Sequence, residues 1–530
     1  MTVDDVPARD ESLRRRTIAV ISHPDAGKST LTEAMLLHAR AISEAGAVHG
    51  KRGRASTVSD WMEIERRRGI SISSAAIQFP FGDTVINLVD TPGHSDFSED
   101  TYRVLSAVDA AIMLIDAAKG LEPQTMRLFE VCRLRGIPII TMINKWDRPG
   151  RTALSLLDEI RDRTELLPTP LTWPVGEAGY FRGLLDVSTQ RMQRFARTSG
   201  GATVADWDDI DAEEALASEG ELWQTAVDEV ELLQADGYEH DTATFLAGIS
   251  TPVYFGAAVH NIGVHHALEA VSALAPPALP RETSDGAQRA IDAPFSAYVF
   301  KVQTGLDSAH RDRIAFMRVC SGRFERGMTV THERTGRPFA TKYAHQLFGR
   351  DRETVDEAWP GDVVGLVNAT MLRPGDTLYD AEPVQFPEMP RFIPEHFRVV
   401  RSADMSKHKQ FRKGLASLDE EGVVQLMRSE RRGDGEPIAG AVGPLQFEVF
   451  AARMEAEFSA PIRLDALPYE TVCDIDADDA EVLGRERECE VVTRSDGRML
   501  MLVSNSYRLR VVQRLHPDRR ITILGGADAA

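Results

Sequence analysis

Nine residues, Ser22-His23-Pro24-Asp25-Ala26-Gly27-Lys28-Ser29-Thr30, constrain this chain more than any other stretch. An apolar run over residues 17–21 precedes them. Leu31, Ala34, Met35, His38, Ala41 and Ile42 follow at helix spacing. A strand, a tight loop and a helix in that order are what a phosphate-binding loop requires. The start of the helix offers unpaired N–H groups and a partial positive charge to an anion. Lys28 adds a full charge for the β- and γ-phosphates, and Ser29 adds a hydroxyl for Mg²⁺. Ser22 stands where the template has its first glycine. An ordinary strand-to-helix turn with a surface lysine fits the same residues, so the rest of the chain has to decide.

Downstream, an apolar run over 84–89 ends in Asp90 and continues Thr91-Pro92-Gly93-His94. A carboxylate at a strand's C-terminal end, followed by a flexible glycine, suits a nucleotide switch. Asp90 reaches Mg²⁺ through water, the Gly93 N–H senses the γ-phosphate, and His94 orients the attacking water. A strand over 110–115 leads to Asp116. Another over 137–143 ends in Asn144-Lys145-Trp146-Asp147. The Asp147 carboxylate suits the ring N–H and exocyclic amine of guanine, a donor pair that adenine lacks. Asn144 ties this loop back to the phosphate loop, and the stem of Lys145 covers the base. After the strand at 252–256, Ala257-Ala258-Val259 sits where a guanine-supporting loop belongs, its backbone N–H groups facing the base carbonyl. Between the first loops, Ser59-Asp60-Trp61-Met62-Glu63 and Glu65-Arg66-Arg67-Arg68-Gly69-Ile70-Ser71 read either as a solvated helix end or as a switch placing Ser71 on Mg²⁺.

More than a hundred residues separate Asp147 from the strand at 252–256, too many for one crossover, so the gap holds an insertion at about 160–250. Residues 205–248 carry fourteen acids and no Lys or Arg, a large part of the net charge of −20. Such a segment reads as a solvated acidic helical region and cannot lie against RNA phosphates. A Pro-rich stretch at 276–280 and polar residues to 288 form a linker. Short period-two runs between Gly and Asp turns follow, as in a small β-barrel. Prolines between 383 and 394 mark a second boundary, and a mixed α+β domain follows. Lys407, Lys409, Arg412 and Lys413 cluster on one helix, and Arg508, Arg510, Arg514, Arg519 and Arg520 cluster near the end. Each cluster reads as a solvated face or as a contact with RNA phosphates. The expected plan is a P-loop GTPase domain of α/β type with the helical, acidic insertion (1–280), a β-barrel domain (290–385) and an α+β C-terminal domain (395–530). The first residues have no apolar segment of a secretory signal, no run reaches membrane-span length, and Cys132, Cys320, Cys473 and Cys489 form no CxxC pair. A cytoplasmic protein without a membrane contact is expected.

Taken together, SHPDAGKST, RGIS, DTPGH and NKWD in this order, followed by RIAFMRVCSG, resemble the translational GTPases. SDWMEIERRRGISIS, DTPGHSDFSEDTYR and GAVGPLQFEV resemble, more narrowly, the bacterial class II peptide chain release factors. The resemblance covers nearly the whole chain and makes Ser22 a mark of the family. It implies that Pro24 and Ile70 form an apolar gate before His94, and that Asp25 helps hold a monovalent cation. Ser71 replaces the usual threonine and keeps its hydroxyl. Ala257 replaces the usual serine, which leaves the backbone contact and removes a side-chain one.

The function so implied is a ribosome-stimulated GTPase of translation termination. It would drive class I, codon-reading release factors off the ribosome after peptide release, possessing no GGQ tripeptide of its own. Its ligands would be GTP, GDP and Mg²⁺. Its partners would be the rRNA and proteins of the ribosome and, indirectly, class I release factors, with the chain acting as a monomer. Lys28 and His94 would be the catalytic residues, and Ser29, Ser71 and Asp90 the metal ligands. A translocase-like GTPase is one rival, although only about 135 residues follow position 395. A ribosome-independent GTPase subunit of a metabolic enzyme is another. A module binding nucleotide only structurally is a third, disfavoured by the intact Lys28, Ser29, Asp90 and His94 set.

Overall fold

The computed structural model describes residues 7–41, 76–92, 94–195, 207–304, 313–348, 351–389, 392–433 and 435–524. Its first sheet is built from β1 (Arg15–Ser22), β2 (Ala76–Phe81), β3 (Thr84–Asp90), β4 (Ala110–Asp116), β5 (Ile139–Asn144), β6 (Leu167–Pro170) and β7 (Ser250–Phe255), in the order β2-β3-β1-β4-β5-β7-β6. All neighbours run parallel except β2 against β3. Strands covered on both faces must be apolar throughout, and β4 is buried at every residue. One face is covered by helix α1 (Lys28–His38) and by α4 (Val264–Leu274), through Leu31, Met35, Leu268 and Val271. The other carries α2 (Ser98–Leu105) and α3 (Pro123–Leu134), through Val104, Leu128 and Phe129. The loops that follow β1, β3, β5 and β7 leave the same edge of the sheet, where a ligand of such a sheet binds.

The insertion holds strands as well as the expected acidic helices. Its early residues Leu167–Pro170 join the main sheet beside β7, with Leu167 opposite Ser250. Two prolines in four residues hide this strand from a periodicity reading, and an edge position tolerates them. A four-stranded antiparallel sheet follows (Thr172–Val175, Gly183–Asp186, Arg191–Phe195, Trp207–Ile210), then acidic helices Ala212–Glu219 and Glu221–Ala235. Trp223, Ala226, Val230 and Leu233 form the buried stripe of the longer helix; Glu221, Asp228 and Glu231 face outward, and Glu229 accepts the Trp173 indole N–H at 2.9 Å.

Beyond the linker, eight antiparallel strands between Ser296 and Tyr379 curl round a core of Ala297, Val299, Met317, Val319 and Leu378. Strands Ser296–Thr304 and Arg313–Ser321 are buried on almost every residue, not on alternate ones. Their outward faces, with Phe300 and Phe316, pack on the first sheet's helices. Arg318 clamps Asp109 at 2.6 Å, and Arg15 meets Asp362 at 2.8 Å. The last region is a second eight-stranded sheet between His396 and Leu524, covered by α5 (His408–Glu421), α6 (Pro444–Ala456) and α7 (Ser506–Leu515). Among the described residues no helix is long and apolar enough to cross a membrane. All four cysteines are buried free thiols.

Candidate nucleotide site

The loop between β1 and α1 forms because its residues accept unusual backbone angles. Gly27 has φ +102° and Asp25 φ +66°, the second tolerable because a short polar side chain populates the left-handed region. A Cβ on Gly27 would lie 2.5 Å from Asn144 Nδ2, so this position requires glycine twice over. Ser22 does not: it is the last residue of β1, paired with Leu114 in extended register. That explains a serine where the general template has glycine. Lys28 opens α1 and its Nζ lies 2.6 Å from Asp90 Oδ1, both side chains buried. Ser29 is half-buried in the same first turn.

These residues fit Mg²⁺. Asp90 is fully buried at the end of β3 and supplies a carboxylate, and Ser29 supplies a hydroxyl. Hard oxygen donors of this kind hold Mg²⁺ when phosphates and waters complete its shell. No cluster of three or more His, Cys, Asp or Glu side chains suited to a metal occurs among the described residues, so nothing here competes as an all-protein cage. Ser71, Ile70 and Gly93, expected at the metal, the gate and the γ-phosphate, lie outside the described residues.

The base corner is tied together by side chains of the NKxD segment. Asn144 donates from Nδ2 to the Ala26 carbonyl at 2.9 Å and accepts the Ala258 N–H on Oδ1 at 2.9 Å. One side chain thus joins the phosphate loop to the loop after β7. Lys145, held at φ +67°, stretches its stem across the site; its Nζ donates to the Asp25 carbonyl and lies 2.9 Å from Asp116 Oδ2. Burial pushes the Asp116 carboxyl up, but bonds from Lys145 and the Ala118 and Lys119 amides outweigh it and hold it below its ordinary value. Asp147 Oδ1 is buried and accepts no hydrogen bond from the described residues, while Oδ2 faces His260 Nε2 at 3.6 Å. A buried acceptor without a donor is costly, and the N–H groups of a guanine edge would satisfy it.

Several other residues of these motifs make contacts within the protein. Trp146 points into the core, 1% exposed, with Nε1 donating to the Gly176 carbonyl at 3.1 Å and its ring edge-on to Phe255 at 5.0 Å. The motif sets the direction of its neighbours and not of this position, so Trp146 braces the loop from beneath. The hydroxyl of Thr91 donates to the Val20 carbonyl at 2.6 Å, pinning β3 to β1. The N–H of Ala257 goes to the Ile262 carbonyl and that of Ala258 to Asn144, so both amides expected at the base carbonyl are engaged within the protein. His23 meets Glu122 Oε1 at 3.1 Å. Pro24 and Thr30 are half-buried, Ala26 and Pro92 buried.

His94 is half-exposed beyond Pro92. Its Nδ1 lies 3.3 Å from the Asp96 backbone nitrogen and 3.2 Å from Asp96 Oδ1. Asp96, Asp116 and Glu122 were not singled out as site residues from the sequence. Asp116 carries the signal that marked Asp90, an acid closing a buried strand. Asp96 and Glu122 carry none.

Three family models divide the chain. "Elongation factor Tu GTP binding domain" matches residues 13–277, "Elongation factor G domain 2" residues 294–381, and "Class II release factor RF3, C-terminal domain" residues 386–513. The peptide chain release factor 3 of Synechococcus elongatus is 46% identical over 516 residues, 96% of this chain and 92% of that one. The chain belongs to the peptide chain release factor 3 family. The family's member from Symbiobacterium thermophilum is 45% identical over 514 residues, 96% of this chain and 97% of its own. Among solved structures, a protein from Thermus thermophilus superposes with a TM-score of 0.68 at 23% identity, covering 87% of this chain and 69% of that one, and shows the shared fold. With its elongation-factor-type nucleotide domain, this member of the family is a GTPase that binds guanine nucleotides.

Proposed function

We propose that this protein acts on the terminating ribosome, where GTP hydrolysis lets it promote departure of a class I release factor after the peptide is freed. One observation carries the reading: a complete P-loop and NKxD site occupies the same chain as a C-terminal region matched by the class II release factor model. The chain works as a cytoplasmic monomer whose contacts are ribosomal RNA and protein, with class I factors affected indirectly. It moves as three bodies, residues 1–280, 290–385 and 395–530. The basic face of α5 suits RNA: Lys409, Arg412 and Lys413 are all exposed. In the second cluster, Arg508 pairs with Glu486 and Arg519 with Asp479, which leaves Arg510 and Arg514 beside exposed Tyr507 for such a contact.

In the reaction, water attacks the γ-phosphate in line and charge grows on the phosphate oxygens. The amides of the 22–27 loop and the α1 N-terminus receive the phosphates, and Lys28 leaves Asp90 for the β- and γ-oxygens. Ser29, Asp90 and Ser71 would hold Mg²⁺, which would supply further neutralisation of that charge. His94 orients the water, Asp147 takes the two guanine donors, and the Lys145 stem covers the base. Asp25 helps hold a monovalent cation, and Pro24 with Ile70 walls the approach of His94.

A paired measurement tests the reading. GTP and ATP hydrolysis are followed with and without ribosomes, then release-factor departure from a post-release complex is timed. GTP-selective, ribosome-stimulated hydrolysis with faster departure is expected. Hydrolysis indifferent to ribosomes overturns the whole reading; stimulated hydrolysis without faster departure overturns only the termination step. His94→Ala is expected to bind GTP normally and lose most of the stimulated turnover.

A further inference from the structure

Helix α6 has no side chain at its N-cap to receive its first N–H groups. The N-cap is Gly443, and a buried helix start needs an acceptor for its free N–H groups. Gln446 reaches back to the amides of Val442 and Gly443 at 2.7 and 3.2 Å. The Leu445 N–H is satisfied from another domain, by Asp96 Oδ2 at 2.6 Å. The fit leaves no room for a side chain at 443, where a Cβ would lie 2.1 Å from Asp96 Cγ. Phe97 sits in the same contact, packed on Leu445 and Val449. The carboxylate that caps α6 is the one whose other oxygen faces His94 Nδ1 at 3.2 Å.

We infer that Asp96 is a positioning residue that sets the tautomer of His94 according to whether the C-terminal domain is docked. The imidazole has two ways to use Asp96. An unprotonated Nδ1 accepts the Asp96 backbone N–H, and the ring proton then sits on Nε2. A protonated Nδ1 donates to Oδ1, which leaves a lone pair on Nε2. Only the second form accepts a hydrogen bond from the attacking water, as a carboxylate-held imidazole does in hydrolytic triads. With α6 docked, its N-terminus and the Leu445 N–H draw on the charge of Asp96 and weaken its hold on Nδ1–H. With α6 withdrawn, that draw on the carboxylate is lifted and its hold on Nδ1–H strengthens. Domain movement thereby arms the water-orienting group with no new contact to the nucleotide. A cavity of about 540 Å³ lies between α2 and α5, bordered by Glu99, Arg103, Arg373 and Leu415.

The inference rests on His94 as the water-orienting residue. Leu445→Pro deletes the donated N–H in the first helical turn, where proline is tolerated. Leu445→Ala keeps the N–H and loses the same side-chain contact, so it controls for packing and folding. Nitrogen-15 spectra of the full chain with GDP, with the His94 signal identified by its loss in His94→Gln, read the tautomer directly. Nε2–H is expected in the native chain and in Leu445→Ala, and Nδ1–H in Leu445→Pro. Ribosome-free GTP turnover should rise ~10-fold in Leu445→Pro over Leu445→Ala, the worth of one charge-assisted hydrogen bond. Asp96→Asn should lower ribosome-stimulated kcat with little change in KM for GTP. The same tautomer and rate in both Leu445 variants overturn the inference, as does an unaltered kcat in Asp96→Asn. Undiminished stimulated turnover in His94→Ala removes the assignment of His94 and the inference together; lost turnover there with an unchanged tautomer in Leu445→Pro removes the inference alone.

Discussion

The two ends of the nucleotide site are held by different parts of the molecule. At the base end, Asn144, Lys145 and Asp116 close on the phosphate loop through bonds that stay within one parallel sheet and its loops. At the γ-phosphate end, the residue beside His94 gives half its carboxylate to Leu445, 349 positions away in the C-terminal domain. The first arrangement is fixed when the sheet folds. The second exists only while two domains touch. The base corner is thus preorganised within one sheet, and the corner at His94 shares a contact with the C-terminal domain.

Lys28 lies in the phosphate loop between the two ends, and its loss has the largest expected effect. Lys28→Ala removes the ammonium beside Asp90 and should lower stimulated kcat about 10³-fold, as deletion of a preorganised charge stabiliser does. Single-turnover GTP hydrolysis on ribosomes checks it. A smaller loss would place the main charge stabilisation on the loop amides instead. Next comes the domain contact. Arg103 is buried in α2, paired with Glu99, and donates to the Glu421 carbonyl at 2.9 Å. Arg103→Met leaves Glu99 buried and unpaired, and should cost about 3 kcal/mol in the thermal unfolding of the docked chain. Guanine nucleotide affinity should hold, which makes this variant a direct test that the two ends are separable.

The difference between the two ends also governs how much the sequence told. β1, β3, β4 and β5 are continuous apolar runs closed by Ser22, Asp90, Asp116 and Asn144, and such runs are readable without a structure. The phosphate loop and NKxD segment are local, so their spacing carries their geometry. Leu167–Pro170 was not readable, because two prolines and a threonine give no strand pattern. The burial of Trp146 was not readable, because the motif says nothing of which way this side chain points. Asp96 was invisible for a deeper reason: its partner is a backbone N–H at a distant helix start, and nothing in DTPGHSD encodes that pairing. Local chemistry was legible, and chemistry shared between domains was not.

Asp147 tests the base end alone. Asp147→Asn replaces an acceptor by an amide that presents a donor, and should weaken GTP binding ~10²-fold, the worth of a charge-assisted pair. The same change should favour a base carrying a carbonyl in place of the exocyclic amine, so xanthosine triphosphate should bind this variant better than GTP. Ribosome-stimulated turnover at saturating xanthosine triphosphate should approach the native rate, because His94 and Asp96 are untouched. If turnover stays low, the base corner influences hydrolysis and the two ends are coupled more tightly than the contacts indicate.

The smallest effect is expected where the two ends meet, at Gly27. A side chain there has to adopt φ +102° and its Cβ would stand 2.5 Å from Asn144 Nδ2. The strain is about 1–2 kcal/mol, and Asn144 yields before the backbone does, because a side-chain amide swings at less cost than a strand end moves. Swinging it away breaks the bond to the Ala26 carbonyl and loosens the phosphate loop from the loop after β7. Gly27→Ala should therefore weaken GTP and GDP binding alike, by ~10-fold, since both nucleotides use this junction. Equilibrium titration with each nucleotide checks the symmetry. A loss confined to GTP would mean that Gly27 acts through the γ-phosphate, and the fixed corner would then extend into the one set by domain docking.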